Sequence, residues 1–296
     1  MKKAFLVKTI ARLVASTLVV GTIVVSAAHA ASVYKISKNN DVVYIGGTIH
    51  ILTEADFPLA APYEEAYSKA DELIFETDIA ALKDPAVVQA KMLPIMMQPP
   101  GQKLSQQLDN ETGKAFTQFL IDRNLPIVQF DALSATGAML TLTVMEYQAK
   151  GFVSEGVDAF YHNKGTEDGK SIAWLESVDT QFALLDSFDN GDPNALIAYT
   201  MEEISQTSEI IDALYTAWKT GDLEGLEAAG ITQLKSDFPE LYKKMMVDRN
   251  NAWMPQIEAM FGDDNTEYVL VGAAHLAGDD GLLHLLEEKG YKVEKL

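Results

Sequence analysis

Two segments more than two hundred residues apart share one local design, an apolar β-rich run that ends in Gly-x-x-His. The first reads Tyr44-Ile45-Gly46-Gly47-Thr48-Ile49-His50 and the second Val269-Leu270-Val271-Gly272-Ala273-Ala274-His275. β-Branched and aromatic side chains favour extended backbone, and a glycine at a strand end permits a turn or a close approach to the main chain. Two further apolar runs, Glu72–Thr77 (ELIFET) and Ser171–Glu176 (SIAWLE), end in the carboxylates of Glu76 and Glu176. Open α/β sheets place ligand sites beyond the carboxyl ends of their strands. Four strand ends therefore offer two imidazoles and two carboxylates to one sheet edge.

The remaining elements fit the same plan. Val33–Ser37 and Val42–Gly46, separated by Asn39-Asn40-Asp41, read as a hairpin. Proline suits a first helical turn, so a helix is expected from Pro62 to Ala70. The middle of the chain is helical in pattern, over Asp84–Met97, Asp109–Asn124, Asp131–Lys150 and Val157–Asn163. Helices follow at Thr180–Ser187, Asn194–Thr220, Leu223–Ala229 and Ser236–Phe261. The strand Glu267–Gly272, a helix over Gly281–Lys289 and a closing strand Tyr291–Glu294 return the chain to α/β form. The expected fold is α/β (α+β), with a central mixed β-sheet built from N- and C-terminal strands and a large helical insertion.

Imidazole and carboxylate are ligands for first-row metals, and a bound metal lowers the pKa of its water. A single Gly-x-x-His is more often the setting of a hydrogen-bonded structural histidine, so the pairing of both with strand ends carries the weight. His162 lies in a polar segment and reads as a surface residue, and His284, within Leu282-Leu283-His284-Leu285-Leu286, as a partly buried helix residue. No HExxH pair, Gly-x-Ser-x-Gly elbow or P-loop occurs. The chain has no cysteine, which excludes disulfides, thiolate-bound metal and a thiol nucleophile.

The N-terminus MKKAFLVKTIARLVASTLVVGTIVVSAAHA has a basic leader, an apolar stretch from Leu13 to Ala28, and the small-residue site Ala28-His29-Ala30. That is the layout of a cleaved secretory signal peptide over residues 1–30, leaving a domain of residues 31–296 in the periplasm or outside the cell. No later segment is apolar enough to span a bilayer. With 23 Lys+Arg against 43 Asp+Glu the whole chain carries −20, and the mature chain, without the four basic residues of the leader, −24. Such a balance excludes a general nucleic-acid binder and favours a neutral or cationic partner.

Several ordered motifs together resemble the TraB/GumN (TraB/PrgY/GumN) family, which includes the Tiki metalloproteases. They are GGTIH (46–50), DFPLAAPYEEAYSKADELIFETD (56–78), GVDAFYHNKG (156–165), LESVDTQFALLD (175–186), AWKTGDLEGL (217–226), RNNAWMPQIEAM (249–260) and VGAAHLAGDDGLLHLLEEKGYKV (271–293). The resemblance implies a metal-dependent hydrolase, a peptidase acting through a metal-activated water, with a divalent ion (manganese, cobalt or zinc). His50, His275 and Glu76 would be its ligands. Glu76, Glu176 and Arg249 would be its catalytic groups, with the two glutamates free to exchange the roles of ligand and base. Asn250 would orient the surroundings of Arg249. The partner implied is a peptide or small molecule. The competing expectation is a non-catalytic protein that sequesters a peptide or regulates the envelope.

Overall fold

A computed structural model describes residues 31–189, 191–262 and 264–296, so the expected leader lies outside the described residues. Strands β1 (Val33–Lys38) and β2 (Asp41–Thr48) form the hairpin, turning through Asn39-Asn40 with Asn39 at φ +56°, a conformation asparagine tolerates. A short β3 (Ile51–Leu52), helix α1 (Ala61–Lys69) and strand β4 (Glu72–Phe75) follow. The insertion comprises α2 (Ile79–Leu82), α3 (Pro85–Val87), α4 (Leu93–Met96), α5 (Asn110–Asp122), α6 (Ile127–Asp131) and α7 (Ala135–Ala149). After β5 (Ser154–Glu155), α8 (Val157–Asp168) leads into β6 (Ser171–Trp174). Six helices come next: α9 (Val178–Asp186), α10 (Pro193–Thr220), α11 (Leu223–Gly230), α12 (Thr232–Asp237), α13 (Pro239–Tyr242) and α14 (Asp248–Ala259). Strand β7 (Glu267–Gly272), α15 (Leu282–Glu288) and β8 (Lys292–Lys295) complete the described chain.

The sheet has the order β6-β4-β7-β2-β1-β8. Its first four strands are mutually parallel, whereas β1 runs antiparallel to both β2 and β8. It is thus the mixed sheet expected from both ends of the chain. Alternate residues of β7 enter opposite cores, Tyr268 and Leu270 one and Val269 and Val271 the other. Helices cover both faces, which is why the strands are apolar runs rather than polar–apolar alternations. A third core, around Leu104, Phe116, Leu120, Phe130, Leu142 and Ile197, holds the helical insertion together.

Four helices differ from expectation. The helix expected over Asp131–Lys150 is broken before Ala135, where the Ser134 hydroxyl accepts the Gly137 N–H and caps a new start. The helix expected over Ser236–Phe261 is interrupted at Phe238, restarts at Pro239, and contains a π-turn over Lys243–Val247. Asp84–Met97 likewise carries a π-turn over Val88–Met92. Conversely α8 outruns its expected end at Asn163, continuing to Gly169, whose φ of +71° stops it. The β3–β5 ladder had no signal in the sequence. Among the described residues no helix is long and apolar enough to cross a membrane.

Candidate active site at the carboxyl edge of the sheet

The four parallel strands end on one edge and deliver the four expected groups to it. Glu76 follows β4 directly, Glu176 lies two residues beyond β6, His275 three beyond β7 and His50 two beyond β2. Strand order places them as Glu176, Glu76, His275, His50. The β4–β6 pairing continues past the strands, since the Glu176 N–H donates to the Glu76 carbonyl at 2.9 Å.

Arg249, in the first turn of α14, enters the middle of this row. Its Nε donates to both carboxylate oxygens of Glu176, at 3.1 and 3.2 Å. Nη2 donates to Glu76 Oε2 at 2.5 Å and Glu176 Oε1 at 2.8 Å. Nη1 meets His275 Nε2 at 2.9 Å and the Met245 carbonyl at 3.3 Å. A guanidinium has five N–H groups and no acceptor, so every donor of Arg249 is engaged inside the protein. His275 Nε2 must then be the acceptor, and Nδ1, 2.6 Å from Asn250 Oδ1, carries the proton. Both ring nitrogens are thereby occupied. Burial and the neighbouring guanidinium push His275 down to about 3, so it is neutral. Asn250 in turn donates to the His275 and Asp280 carbonyls, fixing the 3₁₀ turn that carries the histidine.

The two glutamates differ in what remains open. Glu176 receives Arg249, the Trp253 indole N–H at 3.1 Å and the Gln181 amide at 2.8 Å, and is saturated. Glu76 receives Arg249, Gln181 at 3.2 Å and the Gly272 N–H at 2.7 Å, three donors for about four lone-pair positions. Burial would raise its carboxyl, but Arg249 and the Gly272 N–H outweigh that and hold it at about 2. The glycine of the second Gly-x-x-His leaves room for this contact: a Cβ on Gly272 would lie 3.2 Å from Glu76 Oε1, so the carboxylate would have to give way by a few tenths of an ångström.

His50 stands apart from the network. Its Nδ1 is 2.8 Å from Asp158 Oδ2 on α8, and its side chain is 69% exposed. Asp158 raises its proton affinity, towards about 9, a pull that water at the exposed ring screens. Nε2 has no protein partner among the described residues. The loop is seated by Gly156: a Cβ there would meet the Ile49 carbonyl oxygen at 2.2 Å and the His50 carbonyl carbon at 2.4 Å. His50, Asp158 and Glu76 line one cavity of about 200 Å³, walled by Phe75, Ile79, Leu82 and Leu270 and edged by Thr48, Thr77 and Gln181.

The donor types suit a divalent metal, but their arrangement does not. The lone pairs of Glu76, Glu176 and His275 converge on the Arg249 guanidinium instead. Among the described residues no group of three or more His, Asp or Glu side chains is placed to hold a metal. Asp158, Gln181 and Trp253 escaped sequence reasoning, although each sits within a motif quoted above; side chains reached only by tertiary contact have no local signature. The reading of His162 as a surface residue is corrected, because its ring packs on Phe75 at 5.7 Å and its Nδ1 is buried. His284 is half-exposed and lies 3.6 Å from Glu288, as a partly buried helix residue should.

The family model described as "TraB/PrgY/gumN family" matches residues 32–295. No curated protein and no solved structure matches the chain.

Proposed function

The chain belongs to the TraB/PrgY/gumN family, and from that membership together with the charge network we propose that it is a hydrolase cleaving amide bonds in peptides at the cavity shared by His50 and Glu76. The observation that carries the reading is an oriented imidazole facing the same small cavity as a buried, ionised carboxylate with one lone-pair position left. Asp158 fixes the ring of His50 through Nδ1 and leaves Nε2 to exchange a proton with water and then with the leaving amine. Glu76, too weak a base to take the proton, accepts a hydrogen bond from the attacking water and orients it. Arg249, Glu176, His275, Asn250 and Trp253 act as positioning residues that hold Glu76 ionised in a partly dry site. No step is assigned to a metal. The proposal places the mature chain in the periplasm, on the strength of the leader in residues 1–30.

The test is direct. Mature protein is incubated with a peptide library, with and without Mn²⁺, and the products are read by mass spectrometry. Cut products that vanish with His50→Ala and Glu76→Gln are expected. A library recovered uncut under both conditions refutes hydrolysis of peptides, and uncut peptide retained on the protein is the outcome of a sequestering role.

A further inference from the structure

The charge network has a second face, away from His50. There Glu176, Arg249 and Trp253 line a cavity of about 570 Å³ with Thr180, Leu184 and Lys244. It shares Ser187 and Lys244 with a neighbouring cavity of about 230 Å³. That one shares Phe188, Phe238 and Leu241 with a third, of about 410 Å³, walled by Met139, Leu196, Tyr199, Leu234 and Met245. Shared walls set the three side by side between α9, the start of α10, and α12–α14, and we read them together as one trough. Helix α9 forms its bank at the network end, and Gln181, on that helix, bonds Glu76 and Glu176 together and edges the His50 cavity. Helix α9 thus borders both the trough and the proposed reaction centre.

The trough changes character along its length. Its far chamber is apolar and aromatic, with Tyr199 and Phe238 edge to face at 4.6 Å. Its rim is acidic. Asp189 and Asp192 border the chamber, Asp237 and Glu240 border the middle cavity, and the basic Lys244 stands beside them. Asp192, Asp237 and Glu240 are exposed. Apolar floor and acidic rim together complement a chain bearing a bulky apolar group next to positive charge.

We propose that this trough is the recognition groove of the site and takes an extended peptide whose bulky apolar side chain fills the far chamber beside a lysine, arginine or free amine held by the acidic rim. The assignment rests on the peptide-hydrolase reading of the neighbouring cavity and adds the substrate's chemistry to it.

Binding and cleavage separate the two ideas. The probes are a fluorescein-labelled octapeptide with one Phe flanked by two Lys, a twin with Glu for both Lys, and a twin with Ser for Phe. Fluorescence anisotropy on full mature protein should show each twin binding at least tenfold more weakly, with the charge difference shrinking in 0.5 M NaCl. Ala195→Trp, which fills the chamber from an exposed position on α10, and the surface pair Asp237→Asn with Glu240→Gln should each weaken the Phe–Lys peptide while circular dichroism stays unchanged. Equal binding of all three peptides, absence of binding, or binding untouched by both sets of variants overturns the groove. Cleavage that persists under those conditions leaves the hydrolase reading standing, whereas selective binding without cleavage removes that reading and keeps the groove.

Discussion

Removing the Arg249 guanidinium should be the most damaging single change near the site, through charge rather than volume. In Arg249→Ala, Glu76 and Glu176, whose side chains are 14% and 8% exposed, lose their shared cation. Breaking a buried ion pair from one side costs about 3–5 kcal/mol, and two carboxylates depend on this one group. With an m-value of about 3 kcal/mol/M, a loss near 4 kcal/mol would lower the urea midpoint by about 1.3 M. The pH dependence carries a signature that lost packing cannot mimic. Without Arg249 a folded-state carboxylate titrates above its unfolded value, so the folded state binds more protons. Stability of the variant should then rise as pH falls from 7 towards 5, by at most about 1.4 kcal/mol per pH unit. Arg249→Lys, with one ammonium for two carboxylates, should fall between the variant and the parent. Urea unfolding at pH 7 and pH 5, followed by tryptophan fluorescence, reads all three proteins. A loss under about 1 kcal/mol, or one identical at both pH values, would refute the account of Arg249 as the cation of this network.

Other expectations follow from the same contacts. In the peptide assay, activity should rise with pH as His50 gives up its proton; Asp158→Asn removes the charge that raises that proton affinity, so the limb should shift to lower pH, and an unmoved limb would discount the pair. Gly156→Ala drives a methyl into the backbone of Ile49 and His50, so it should lower the urea midpoint and cut peptide cleavage together, which denaturation beside kinetics will decide. Burial alone would raise the Asp56 carboxyl, but hydrogen bonds from Tyr215, Lys219 and Thr53 hold it below its ordinary range. That stability is present above the ordinary carboxylate pKa and lost as pH falls through the depressed value; Asp56→Asn should cost about 1.5–3 kcal/mol at pH 7 and flatten part of the acid limb of a stability–pH curve. Elemental analysis of purified mature protein should find well under one divalent ion per chain, and a stoichiometric ion lost with His275→Ala would overturn the reading of Arg249 as the group that ties these donors.

Much of the scaffold was legible from local pattern. The six runs that build the central sheet read as strands, because a sheet buried on both faces needs continuous apolar stretches and because Asn39-Asn40 marks the hairpin. Residue types at the strand ends were legible too: the glycine of each Gly-x-x-His marks a place where another group approaches the main chain, and at Gly272 that group is Glu76. Helix breaks were less legible, since a serine cap and a restarting proline interrupt a periodicity that continues across them.

Taken alone, the sequence determined that four strands end in two histidines and two glutamates, that thiol chemistry is absent, and that an acidic chain faces its partner. Only the tertiary structure decided how those four groups are shared. The order β6-β4-β7-β2 sets Glu76 between Glu176 and His275 and leaves His50 at the end of the row, where it turns to Asp158 of α8. Arg249, more than 170 residues after Glu76, then fills the centre from a helix. Local propensity depends on neighbours along the chain, whereas strand order and helix docking depend on contacts that close only when distant segments bury their apolar faces together. The residues of the site are therefore written in the sequence, but their partners are set by packing.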